Sequence, residues 1–220
     1  MGEGRNIDNR RIDKLFKRLA FALPQRCRLC GAVVSRSSLC AGCRSDLPRA
    51  PDHPLRIKNV DVGWACFRYD YPVAMLIHEA KYRHDLGSLR ILAGLFVEMH
   101  PCTSPQPDLL IPVPLTSERM RHRGFNQAEE LCRGISMARG VPIAATLVRR
   151  RKGDPPQVGL NAAARRRNVL NAFHVTDRID AARVVVVDDV TTTGATAASL
   201  AATLRSAGAA RIEFWACACA

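Results

Sequence analysis

The chain has 220 residues, 33 basic against 20 acidic, a net charge of +13, and 47% hydrophobic residues. That length holds one α/β domain plus a small accessory module, with enough apolar residues for a full core. No apolar run approaches about eighteen residues, so no membrane span is expected; aromatics at 5% argue against extended base-stacking platforms, and the charge asks for an anionic partner, phosphate ligands or nucleic acid.

Residues 1–26 are basic, with an apolar patch at 19–23 too short for a secretory signal. They read as an amphipathic helix with Ile12, Leu15, Phe16 and Leu19 on one face. Nine cysteines without a signal peptide predict reduced thiols, some of them serving metal, and a cytoplasmic protein. Cys27, Cys30, Cys40 and Cys43 form two C-x-x-C knuckles nine residues apart. Four thiolates so spaced suit a tetrahedral, structural zinc with no open position; disulfides and free thiols are the alternatives. His53 reads as a loop residue. Residues 48–54 are proline-rich and read as a linker, which divides the chain into domains 1–55 and 56–220.

A strand is expected over 62–69, helices over 72–83 and 86–100, the latter with Leu89, Leu92, Ala93 and Phe96 on a common face. Residues 108–113 read as a short buried strand. The stiff turn Pro114-Leu115-Thr116 follows, then Arg119, Arg121, His122, Arg123, Gly124, Phe125, Asn126 and Gln127. Guanidinium forks suit phosphate oxygens, so this cluster reads as a pyrophosphate cradle, the alternative being a solvated helix face. A helix over 128–139 should turn Leu131, Ile135 and Ala138 inward. Arg149, Arg150, Arg151 and Lys152 open a basic Gly/Pro loop, and Arg165 to Arg167 close the next helical stretch. Residues 119–167 carry twelve basic and three acidic side chains. A mobile loop closing over a pyrophosphate accounts for that density, and so does a nucleic-acid backbone.

Residues 184–187, four valines, read as a strand buried on both faces, ending on Asp188 and Asp189. A turn containing Thr191, Thr192, Thr193 and Gly194 leads into an Ala-rich helix over 195–204. Such a strand–turn–helix junction is where α/β proteins bind ligands. The turn amides and helix dipole favour an anion, which Gly194 lets approach and the Thr193 and Thr196 hydroxyls can bond. The two acids suit hydroxyls or a hard cation such as magnesium. A final strand is expected over 211–219. Cys66, Cys217 and Cys219 read as strand residues; a second metal site at the last two is the lesser alternative.

The run VVVVDDVTTTGAT resembles the phosphoribosyl-pyrophosphate (PRPP) signature of type I phosphoribosyltransferases. The order CxxC…CxxC, IPVPL…R…RGFNQA, Q…L…R…N…AF and VVVVDDVTTTGAT is similar to that of the ComF family, over nearly the whole chain. That family joins a zinc-binding amino terminus to a phosphoribosyltransferase-type domain and is associated with DNA uptake and competence. The resemblance implies a parallel sheet flanked by helices behind a zinc-knuckle module. It places the ribose 2′ and 3′ hydroxyls on Asp188 and Asp189 and the 5′-phosphate on Thr191, Thr192, Thr193, Gly194, Ala195 and Thr196. The pyrophosphate and basic positions are Pro114, Leu115, Arg119, Arg123, Arg150 and Lys152, with Lys81 and Tyr82 lining the site. Thr192 stands where purine-salvage members carry an Asp, which argues against hypoxanthine–guanine salvage. The expected function is PRPP binding with magnesium-dependent transfer to an unidentified acceptor. The rival is a zinc-containing basic protein that binds single-stranded DNA in the uptake machinery and senses PRPP without catalysis. The transferase reading asks that both carboxylates be free of interior ion pairs.

Overall fold

The computed structural model describes residues 25–35, 37–99, 106–150, 172–179 and 183–220. The expected helix around Ile12 to Leu19, and the basic positions Lys152 and Arg165 to Arg167, lie outside them. By backbone contacts the chain falls into two compact units, Met1–Leu47 and Pro48–Ala220.

In the first unit, β1 (Gln25–Arg26) and β2 (Val33–Val34) pair antiparallel, and Gly31 at φ +76° turns the chain between them. The helix α1 (Ala41–Ser45) starts at Cys40, whose sulfur accepts from the Cys43 N–H at 3.4 Å. One knuckle is therefore the hairpin turn and the other a helix start.

The second unit is built on four parallel strands in the order β3 (Val62–Arg68), β8 (Arg211–Cys219), β7 (Arg183–Thr191), β4 (Leu109–Pro112). This is the expected class, a parallel sheet flanked by helices. Val184 to Val187 are all essentially inaccessible, because both faces of the sheet are covered. One face packs on α6 (Ala195–Ser206), where Val184, Val186, Leu200, Leu204 and Phe214 join a single core. The other carries α2 (Val73–Tyr82), α3 (Leu86–Met99) and α5 (Gln127–Arg139). A short helix α4 (Ser117–Arg123) follows β4, and a two-stranded ribbon joins β5 (Val148–Arg150) to β6 (Phe173–Val175).

Four expectations need correction. The strand β7 does not end on the acids. It runs through Asp188 and Asp189 to Thr191, because β8 supplies partners as far as Cys219. Residues 48–54 are not a free linker. Arg68 donates to Pro48 O (2.8 Å), Ala50 to Cys66 O (3.0 Å) and Leu55 to Gly63 O (2.7 Å), so this segment lines the sheet edge, the one place where prolines without N–H groups are tolerated. Residues 119–123 are helix, capped by the Thr116 hydroxyl and stopped by Gly124 at φ +74°, so Arg119 and Arg123, four apart, share a face while Arg121 turns away from it. Ala138 is exposed and lines an open groove between α5 and α3, with Ala93, Gly94 and Val97 among the α3 residues there.

Candidate functional site

In the first unit the sulfurs of Cys27, Cys30, Cys40 and Cys43 all lie within 4.8 Å of one another, with Cys30 and Cys40 at 3.7 Å. A tetrahedral ion bound at Zn–S distances of about 2.3 Å needs sulfurs roughly 3.8 Å apart, so the four residues can bind a metal ion. Burial raises the Cys27 thiol, but the N–H groups of Cys30, Cys40 and Leu29 outweigh it and hold it near 6. Cys43 is pushed up, first by its hydrogen bonds with Cys30 and Cys40. Thiols crowded this closely repel one another's ionisation, and a cation relieves that. Among the described residues no other cluster has three or more metal-ligating side chains. Burial pushes the Cys66 thiol up to about 12 and raises Cys217 well above its ordinary value, so both stay protonated packing groups in adjacent strands.

In the second unit the strand end, the turn and the start of α6 lie together. Thr192 and Thr193 are exposed, Thr191 and Gly194 buried, Thr196 half-buried. The Ala195 N–H donates to the Thr193 hydroxyl at 3.4 Å. Gly194 at the start of the twelve-residue α6 offers no side-chain cap, and Thr193 takes the Ala195 N–H, so the dipole and the remaining N–H groups of the first turn are left for an anion. Gly194 departs from expectation. It sits at φ +70°, and a Cβ there would lie 2.9 Å from the Ile57 side chain. The glycine makes room for Ile57 as well as permitting the left-handed turn.

Strand alternation separates the two acids. Asp188 follows Val184 and Val186 onto the α6 face; Asp189 follows Val185 and Val187 onto the face covered by α2, α3 and α5. The Asp188 carboxylate accepts the Asp189 N–H at 2.9 Å. Burial, and then the Asp189 charge, push the Asp188 carboxyl up to about 8 against the pull of that N–H, Lys81 and Arg150. Asp189 instead receives Lys81 Nζ at 2.9 Å, with both side chains about 15% exposed. One of the two expected diol carboxylates is therefore held in an ion pair.

The basic positions differ in their partners. Arg150, half-buried with its guanidinium 5.6 Å from the Phe173 ring centre, feels burial first, then repulsion from Arg119, and attraction from Asp188. Arg119, Arg150 and Asp188 thus lie within charge range of one another. Arg123 has partners of its own. It stacks 5.6 Å over the Tyr82 ring, donates to Gln127 Oε1 at 3.1 Å, and its carbonyl meets His84 Nδ1 at 3.0 Å. Pro114 and Leu115, half-buried, leave β4 beside the two acids, next to the bond from the Val113 N–H to Val187 O.

Asn126 and Gln127 stood in the sequence cluster without assigned parts. Asn126 caps α5, accepting from the Ala128 N–H at 3.1 Å and donating to Val113 O at 3.0 Å. Gln127, 2% exposed, reaches the cavity beside Asp189. Polar residues at the first position of an apolar helix were the available signal, but capping alone explains that pattern.

No family model matches the chain. DNA utilization protein YhgH of Salmonella typhimurium is 34% identical over 205 residues, covering 88% of this chain and 89% of that protein. Competence protein F of Haemophilus influenzae is 30% identical over 201 residues, covering 86% and 88%. Adenine phosphoribosyltransferase of Leishmania tarentolae superposes on 77% of this chain and 94% of its own at 13% identity, with a TM-score of 0.41, a likeness too low to bear on fold or activity. Identity above 30% over nearly the full length of both sequences shows the family: this chain belongs to the ComF family, with DNA utilization protein YhgH and competence protein F.

Proposed function

We propose that the Pro48–Ala220 unit binds PRPP and transfers its phosphoribosyl group to an acceptor. The observation that carries this reading is an unmet demand for negative charge. Burial and then Arg119 disfavour the Arg150 charge beside the half-buried Asp188, at the strand end where first-turn N–H groups of α6 are also available to an anion. A 5′-phosphate on residues 191–196 and a pyrophosphate against Arg119 and Arg150 would satisfy both. Pro114 and Leu115 would wall the same mouth, with Lys81, Arg123 and Lys152 as further pyrophosphate contacts. Asp188 would accept from a ribose hydroxyl, while Asp189 reaches the second only if Lys81 lets go. The C1–O bond to pyrophosphate breaks with its electron pair on oxygen, and the acceptor lone pair closes on C1. Positioned cations stabilise that separating charge.

Magnesium belongs in this reading with the diphosphate. The paired Asp189 and the half-buried Asp188, on opposite faces of the strand, do not make a protein site for it. The four cysteines suit zinc, since a closed set of soft thiolates favours it. Reduced thiols would suit a cytoplasmic protein, and the amino-terminal region expected over 1–55 is proposed to hold its zinc within the first unit, Met1–Leu47. Calorimetry with magnesium PRPP tests the main reading: micromolar to millimolar binding, weakened at least roughly ten-fold by Asp188→Asn, is expected. No heat at millimolar PRPP would end it. Pyrophosphate release across candidate amines and bases separates a transferase from a PRPP sensor.

A second reading, single-stranded DNA binding in the uptake machinery, draws on the charge of residues 119–167 and on relatives named for DNA utilization and competence. It predicts affinity falling steeply with salt; binding indifferent to salt would remove its electrostatic basis.

A further inference from the structure

The cavity enclosed by α2, α3, α5 and the sheet has about 10 Å³ of space and is lined by Ile77, Ala80, Leu131, Cys217, Asp189 and Gln127. That is about the room one water needs, and a water there needs two or more polar partners. Gln127 supplies one. Its Oε1 accepts from Arg123 Nη1, and because a guanidinium can only donate, the oxygen must face the arginine and the NH₂ must face away. That Nε2, fully buried, has no hydrogen-bond partner among the described residues. Gln127 and Asp189 are thus the two polar residues that line a small, otherwise apolar cavity. Lys81, the other partner of Asp189, comes from the last turn of α2, and the next residue, Tyr82, lies under Arg123.

We propose that Gln127 is a positioning residue that joins Arg123 to the Lys81–Asp189 pair through one water in this cavity. The chain then runs from a partly exposed guanidinium, through an amide and a water, to a carboxylate and an ammonium. The two cations are ordered as a unit, and whatever anion draws Lys81 from Asp189 also frees the water-held amide that aims Arg123. The geometry stands without the PRPP reading; its use in binding rests on it.

Two measurements test this on the full-length protein. With [15N]glutamine labelling, one side-chain amide should be protected from exchange, show cross-relaxation with a long-lived water, and shift on Lys81→Met although Lys81 does not touch it. In calorimetry with magnesium PRPP, Arg123→Met should weaken binding roughly ten-fold in the native background and about two-fold or less beside Gln127→Met, the mark of coupled groups. An amide in fast exchange, or one indifferent to Lys81→Met, overturns the proposal. So does an Arg123→Met loss that is the same in both backgrounds. If magnesium PRPP fails to bind while the amide is protected and responds to Lys81→Met, the Gln127 link stands and the PRPP reading falls.

Discussion

Asp188 and Asp189 are neighbours in the chain that face opposite sides of one sheet, the first beside Arg150 and the second bonded to Lys81 at 2.9 Å. The strand carries both because β8 keeps it paired through Thr191. A shared grip on one diol is therefore not the resting arrangement, and the two carboxylates should answer mutation differently.

Asp189→Asn leaves the Lys81 ammonium largely buried without its counter-charge. Breaking such a pair costs about 3 kcal/mol, so the variant should melt well below the native protein in a thermal scan. Lys81→Met with Asp189→Asn should recover part of that loss, since two uncharged groups leave no charge stranded. A double variant as unstable as Asp189→Asn alone would deny the pair its structural weight.

Asp188 should make stability depend on pH in the opposite sense from an ordinary salt-bridged acid. Its folded carboxyl titrates near 8, above its unfolded value of 3.8, so between those values the folded state binds the extra proton. Stability is then full below about pH 4 as far as this group goes and declines as pH rises towards 8. Asp188→Asn removes the penalty. It should match the native protein near pH 4 and melt progressively higher than it as pH rises towards 8. Parallel melting curves across that range would show Asp188 ionised and solvated instead.

Glu213 holds Arg183 and Arg211 and accepts from the Trp215 indole, with no exposure of its own. Glu213→Gln removes the buried negative charge that Arg183 and Arg211 share. Urea unfolding should report a loss of about 3–5 kcal/mol, with any ligand affinity at the opposite end of the strands unchanged in the surviving folded fraction.

Gly194→Ala meets two obstacles, a left-handed φ and the Ile57 side chain 2.9 Å from the new methyl. The backbone alone costs about 1–2 kcal/mol. Gly194→Ala with Ile57→Ala should relieve the contact and keep the backbone cost, giving an intermediate denaturation midpoint once the Ile57→Ala effect is subtracted.

Metal analysis of the purified protein should find one zinc per chain, lost on Cys40→Ser or on chelation at pH 5, where thiolates regain protons. Circular dichroism should record the accompanying loss of ordered structure in the first unit. A protein that folds fully with four free thiols and no metal would discard the zinc reading.

The sequence alone settled what depends on neighbours along the chain. The four valines required a strand covered on both faces, Gly194 marked the turn between that strand and the next helix, and two C-x-x-C pairs brought four sulfurs within ligand reach. Each follows from residue type and short-range spacing, which the backbone reads locally. What the sequence left open depended on partners distant in the chain. The length of β8 carried β7 past the acids, α2 brought Lys81 to one of them, and the ribbon brought Arg150 towards the other. A pair of adjacent acids looks alike in sequence. Only packing on the two faces of the sheet gave one a cation at bonding distance and the other a raised affinity for its proton, because burial and charge are properties of the space around a residue and not of its place in the chain.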